Sequence, residues 1–149
     1  MGKSIAKDEI YYIYVLRLEG GSWYVGSTKR FENRMRSHFG QGGSIATKQR
    51  KAIAIDKVFE IRDYQIQSFC AHEKAEILVA IHYANQFGAE NIRGAKHGKG
   101  WDDKPTEGNL RDIKKCSQFA LTSDGKILIS ALKVVDHRDI LIKTHRVVN

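Results

Sequence analysis

Two β-compatible runs joined by a glycine turn, with an amphipathic segment directly after them, constrain this chain more than any other feature. Tyr11 to Leu18 is apolar, β-branched and aromatic; Glu19-Gly20-Gly21-Ser22 is turn chemistry; Trp23-Tyr24-Val25 returns and Gly26 ends the run. Glycine supplies the positive φ that tight hairpin turns need, so the pattern predicts a β-hairpin. Ser27 or Thr28 stands where a helix cap is expected, and Arg30 to Phe39 places Phe31, Met35 and His38 on one helical stripe.

Further elements follow the same logic. Gly40-Gln41-Gly42-Gly43 breaks the chain, and Thr47 to Lys51 is polar and basic. Ala54 to Arg62 reads as a third strand. Cys70 to Phe87 reads as a helix, with Ala75, Leu78, Val79, His82, Tyr83 and Gln86 near helical spacing and Gly88 as its stop. Asn91-Ile92-Arg93-Gly94 reads as a short turn. His97 to Asn109, with three glycines and the only proline, reads as a loop. Leu110 to Leu121 is predicted helical, Asp124-Gly125 a turn, and Lys126 to Val135 and Ile140 to Val148 strands. This tail is either a small lobe or a cover for the main sheet.

The chain has 149 residues, enough for one domain, and 42% hydrophobic residues, enough for a packed core. Its net charge of +8 points to a polyanionic partner. From Lys29 to Lys51, seven basic residues (Lys29, Arg30, Arg34, Arg36, Lys48, Arg50, Lys51) face one acid, Glu32. Such a run suits phosphate neutralisation, and a solvated helix face is its ordinary alternative. Cys70 and Cys116 show neither zinc spacing nor a disulfide framework, which fits a reduced, cytoplasmic setting. The first ten residues carry no long apolar run, so neither a signal peptide nor a membrane span is expected.

Phosphodiester hydrolysis needs an activated water, positive charge on the phosphoryl oxygens and relief of the leaving oxygen. A carboxylate-held divalent metal, an arginine and phenols or imidazoles meet those needs. The hairpin tyrosines Tyr14 and Tyr24, beside a helix bearing Arg34 and His38, present part of such a set. Parity across the turn does not fix which face each tyrosine takes.

With these residues in view, the chain resembles the GIY-YIG nuclease domain of homing endonucleases, the excision-repair UvrC subunit, some restriction enzymes and flap-processing nucleases. Tyr12-Ile13-Tyr14 stands for the first signature and Tyr24-Val25-Gly26 for the second, with Tyr12 replacing the signature's first glycine. Arg34 matches the helix arginine, His38 a His or Tyr position one turn on, Glu76 the metal-binding glutamate, and Asn91, opening Asn91-Ile92-Arg93-Gly94, the closing asparagine. Glu73 is the rival of Glu76, one turn earlier.

The resemblance implies an α+β domain at residues 10–94, with a small antiparallel three-stranded sheet flanked by helices. A loop or linker at 95–109 and a small C-terminal extension at 110–149 follow it. It implies a single Mg2+ or Mn2+ held by Glu76, and the scissile phosphate on Arg34. Tyr14 or Tyr24 would act on the attacking water, His38 would assist proton transfer or contact phosphate, and Asn91 would position a group. Lys29, Arg30, Arg36, Lys48, Arg50 and Lys51 would bind nucleic acid. A free phenol titrates near 10, so the base needs a cation beside it or a relay.

The expected function is that of a metal-dependent DNA endonuclease of small stand-alone, phage or mobile-element type, bacterial or phage-encoded, acting as a monomer or homodimer. The alternatives are an inactive nucleic-acid-binding module, or a nuclease preferring RNA or single-stranded DNA. His72, His82, His97, His137 and His145 are read as surface or structural, Cys70 and Cys116 as inert. Trp101 either stacks on a base or docks its loop on the core.

Overall fold

The computed structural model describes residues 10–62 and 71–141. Cys70 and His145 lie outside them. The elements in chain order are β1 (Tyr11–Leu18), β2 (Ser22–Thr28), α1 (Phe31–Phe39), α2 (Ile45–Gln49), β3 (Ala52–Ile61), α3 (Ala71–Phe87), β4 (Ile92–Arg93), α4 (Glu107–Phe119), α5 (Ser123–Ala131) and β5 (Lys133–Val135). A 3-10 turn, Ala89–Asn91, links α3 to β4.

The fold is α+β, and its sheet has five strands in the order β4-β2-β1-β3-β5. The expected three antiparallel strands, β2-β1-β3, form its centre. Two short edge strands extend it beyond three. β4 pairs parallel to β2 through Trp23–Ile92 and Tyr24–Arg93. β5 pairs antiparallel to β3 through Val58–Val135, Phe59–Val134 and Glu60–Lys133. Strands of two and three residues leave no periodicity for a sequence reading to detect.

The hairpin forms because Gly20 and Gly21 both take positive φ, 79° and 69°, which twists the two strands onto each other. β1 lies in the middle of the sheet and is covered on both faces, which explains its unbroken apolar run. Ile13 and Val15 pack with Val25, Ile61 and the Ala71, Ala75, Val79 and Tyr83 positions of α3. Tyr14, Leu16 and Leu18 pack on the other face with Phe31 and Met35 of α1. Burying each of these large side chains contributes about 1.5–3 kcal/mol, so the two-sided strand anchors the fold.

Several local expectations change. The residue capping α1 is Arg30, without a side-chain cap; the Thr28 hydroxyl accepts the Arg30 N–H at 2.9 Å. Thr47 to Lys51 is partly helical, because Ser44 and Thr47 form a reciprocal capping box at the start of α2. Ile92-Arg93 is a strand rather than a turn.

The Asp124-Gly125 turn and the strand from Lys126 are replaced by α5. The Thr122 hydroxyl accepts the Gly125 N–H at 3.0 Å and starts a helix there. A Cβ on Gly125 would lie 2.0 Å from the Phe119 carbonyl oxygen, so this glycine serves close helix approach. Only Lys133–Val135 of the predicted strand remains extended. Residues 137–141 are helical rather than strand, and the rest of the predicted 140–148 strand lies outside the described residues. Leu128 of α5 is fully buried against the α3 side of the sheet, while Val135, Ile140 and Leu141 pack on the α1 side.

Candidate active site

The β1–β2 register sets the two tyrosines on one face. Tyr14 pairs with Gly26, and Tyr24 pairs with Leu16 two residues away. Their ring centroids lie 6.3 Å apart. In an antiparallel pair, directly opposed side chains share a face, so a side chain at position 26 would meet the Tyr14 ring. A Cβ there would sit 2.5 Å from Tyr14 Oη and 2.7 Å from Cζ. Glycine at the end of the second triplet makes room for the phenol of the first.

α1 lies over that face. Arg34 and His38 are four residues apart and project to the same side of the helix. Arg34 donates its Nε–H to Tyr14 Oη at 3.3 Å. Its charge also acts on the Tyr24 phenol. Among the described residues Arg34 meets phenols and no carboxylate ion partner. His38 is 2% exposed. Its Nε2 lies 2.8 Å from Tyr14 Oη, and its Nδ1 lies 3.0 Å from Thr47 Oγ1.

The proton positions in this chain follow from its far end. Thr47 Oγ1 accepts the Ser44 N–H at 3.1 Å and donates to the Ser44 carbonyl at 3.3 Å. Toward His38 it is therefore an acceptor, which places the imidazole proton on Nδ1. Nε2 is then left to accept the Tyr14 hydroxyl proton, an assignment made from the network. Burial first, and the Arg34 charge second, lower the His38 pKa to about 4, so the ring is neutral at pH 7.

The two phenols differ in access. Tyr14 is 1% exposed, and Tyr24 is partly exposed at the mouth of the site. Burial raises the pKa of both, and for Tyr14 the neighbouring Tyr24 adds to it; the hydrogen bond from Arg34 to Tyr14, and the polar Ser44 and charged Arg34 near Tyr24, pull the other way.

Glu76 lies on α3 and is partly buried. Burial, followed by the Glu73 charge, pushes its carboxyl up to about 7, with Ser27 and Lys96 opposing. Glu73 itself is exposed. Among the described residues the partly buried Glu76 carboxyl forms no ion pair, so it is a group that could hold a cation. Among the described residues no group of three or more His, Cys, Asp or Glu side chains comes together. One carboxylate suits a hard ion that keeps most of its waters, as Mg2+ does, and does not suit a four-ligand zinc cage.

Asn91 follows α3 in the 3-10 turn that leads into β4. Its amide donates to the Phe87 carbonyl at 2.8 Å and ties off the end of α3. Eleven residues of helix, about 16 Å of rise, separate Phe87 from Glu76.

The expected nucleic-acid contacts divide. Lys29, Arg30, Arg36, Lys48 and Lys51 are exposed. Arg36 is ion-paired with Glu32 at 3.1 Å, and Lys29 lies over the Tyr11 ring at 5.5 Å. Arg50 stacks on Trp101 at 4.1 Å. Trp101 docks its loop: its indole N–H donates to the Ala46 carbonyl at 3.1 Å, and Arg93 covers its ring at 4.5 Å.

Ser27, Ser44, Thr47 and Lys96 touch or bias the site and were not singled out from sequence. The Ser-x-x-Thr capping spacing of Ser44 and Thr47 was the one available signal.

Residues 10–77 match the model of the GIY-YIG catalytic domain. Over those residues the chain is similar to a GIY-YIG catalytic domain. The match takes in both tyrosine triplets, Arg34, His38 and Glu76. The chain is also similar to a UPF0213 protein of Fusobacterium nucleatum subsp. nucleatum, 41% identical over 49 residues, which are 33% of this chain and 49% of that protein. The match thus spans about half the length of that relative. No solved structure matches the chain significantly. Among the described residues no helix is long and apolar enough to cross a membrane.

Proposed function

We propose that the protein is a metal-dependent DNA endonuclease whose GIY-YIG site uses Tyr14 and His38 as a proton relay. The observation that carries this reading is the set of contacts around Arg34: a guanidinium with no carboxylate partner among the described residues, hydrogen-bonded to the Tyr14 phenol beside the Tyr24 ring. A phosphate satisfies such a guanidinium with charge-assisted, bidentate hydrogen bonds.

Glu76 is the residue that would hold Mg2+ or Mn2+, and the ion would supply Lewis acidity to the phosphoryl oxygens. The chain's own groups supply the rest. Tyr14 donates its proton towards His38 Nε2 and has a lone pair left for the proton of an attacking water. Taking one proton while passing the other on avoids building a full phenolate in a buried site, where its charge is costly. Arg34 holds His38 weakly basic, and a phosphate seated on Arg34 offsets that field. Substrate binding thereby strengthens the base that the relay needs. Tyr24, at the mouth, orients the water and phosphate.

Cleavage of matched single-stranded, duplex, flap and branched DNA in Mg2+, with mapped ends, tests the activity and its substrate together. Cuts that appear with Mg2+ and vanish with chelator are expected. Salt-dependent binding of every substrate without cleavage, in Mg2+ and Mn2+ alike, would replace the nuclease reading with that of a binding module.

A further inference from the structure

Beyond Tyr24 the surface continues into a cleft of about 410 Å3. One wall is Ser44 and Ile45 at the start of α2. The other is the loop from Gly94 to Lys99. The cleft falls within the roughly 300–1,000 Å3 typical of small-molecule sites. Ile45 is 49% exposed there, an apolar side chain left open beside a tyrosine ring.

The loop wall is built rather than loose. Arg93, 7% exposed, donates to the Gly100 carbonyl at 2.7 Å and the Asp103 carbonyl at 3.1 Å. Gly94 donates its N–H to the Gly98 carbonyl at 3.0 Å and closes the turn. Within it Ala95 and Lys96 take positive φ, 51° and 71°, a conformation that side-chain-bearing residues seldom adopt. Such backbone persists where its surroundings over-determine it, and it collects at ligand-binding positions.

The charges on this wall complement a phosphodiester. Lys99 is exposed and has no ion partner among the described residues. Lys96 pairs with Asp112 at 3.3 Å, with both side chains 44% exposed. An open pair of that kind is weak and exchanges readily for a phosphate.

We propose that the cleft is a subsite for an unpaired nucleotide flanking the scissile phosphate, its base or sugar against Tyr24 and Ile45 and its backbone phosphates on Lys99 and Lys96. This rests on the nuclease reading of the adjoining site. A pocket of this size admits one nucleotide and not a stacked duplex. The subsite thus favours strands that are single-stranded next to the cut.

The test is anisotropy binding of a labelled single-stranded oligodeoxynucleotide and of its duplex, without divalent metal, across a salt series. Lys99→Ala, Lys99→Arg and the exposed control Lys126→Ala on α5 are compared with wild type. Lys99→Ala is expected to weaken single-strand binding roughly fivefold to tenfold. It should also flatten the salt slope by about 0.7. Lys99→Arg should restore most of the affinity, and Lys126→Ala should match wild type. In turnover with Mg2+, the Lys99→Ala loss should fall on KM more than kcat. A Lys99→Ala variant that binds like Lys126→Ala, or that weakens duplex and single strand equally, overturns the subsite. Wild-type cleavage with an unaffected Lys99→Ala variant overturns the subsite alone. Wild-type binding without cleavage, with the Lys99 pattern intact, overturns the nuclease reading and keeps the subsite.

Discussion

The Tyr14 hydroxyl lies 2.8 Å from His38 Nε2, in a buried chain that runs on to Thr47 and Ser44. The imidazole is oriented from both ends. Tyr14→Phe leaves Nε2 without its donor, and a buried unpaired acceptor costs about 1–3 kcal/mol. The variant should fold with a lowered melting temperature and lose at least about a hundredfold in kcat, the usual scale for losing a general acid or base. Calorimetry and single-turnover cleavage measure the two effects separately.

Acid should destabilise the protein through His38. Its folded pKa, about 4, lies below the ordinary value of 6.5, so the unfolded chain binds the proton first. The stabilisation is present above pH 6.5 and is lost as pH falls from 6.5 towards 4. A tenfold difference in proton affinity is worth about 1.4 kcal/mol, so the loss is on the order of 3 kcal/mol. Denaturant unfolding of wild type and His38→Asn across this range should show a shallower slope for the variant. NMR titration should show the His38 ring neutral at pH 6, and its pKa rising when phosphate is added.

Gly26→Ala should damage the site without touching a polar group. The new Cβ would overlap the Tyr14 phenol, 2.5 Å from Oη. Overpacking of this kind costs about 1–3 kcal/mol, and the ring must leave its place between Arg34 and His38 to relieve it. A fall in melting temperature together with loss of cleavage is expected. Full activity would show that the Tyr14 position is not critical.

The centre of the sheet was legible because hairpin, register and helix spacing are local or pairwise signals. The Gly20-Gly21 turn set the hairpin, and four-residue spacing set Arg34 beside His38. What sequence could not supply were relations across the fold. The face shared by Tyr14 and Tyr24 depends on the β1–β2 register. The His38–Thr47 bond joins two helices across a glycine-rich break. β4 was too short to leave a pattern, and β5 is only the last three residues of the strand expected from Lys126 to Val135. At Asp124-Gly125 turn chemistry and helix capping compete, and the Thr122 cap wins. Asn91 was assigned from its place in the motif, and its side chain closes the end of α3.

Arg50 should contribute to stability as well as to binding. It stacks on Trp101, whose ring also meets the Arg93 guanidinium. Arg50→Ala is expected to cost about 0.5–1 kcal/mol through the lost cation–π contact. Lys48→Ala, at an exposed position, should leave the melting temperature unchanged while weakening nucleic-acid binding. Equal melting temperatures for the two variants would place Arg50 with the solvated cations.

The proposed hold of Glu76 on a metal has its own readout. Mg2+ or Mn2+ should raise the melting temperature of wild type by mass action and leave Glu76→Gln unmoved. An equal metal-induced rise in both proteins would place the ion elsewhere.

The most direct measurement is cleavage of end-labelled DNA by wild type, Glu76→Ala and Arg34→Ala, with circular dichroism and melting on the same preparations. Chelator-sensitive cutting by wild type in Mg2+ is expected, with both variants folded and reduced at least about a hundredfold. Full cleavage by both folded variants would contradict a GIY-YIG nuclease site at these residues.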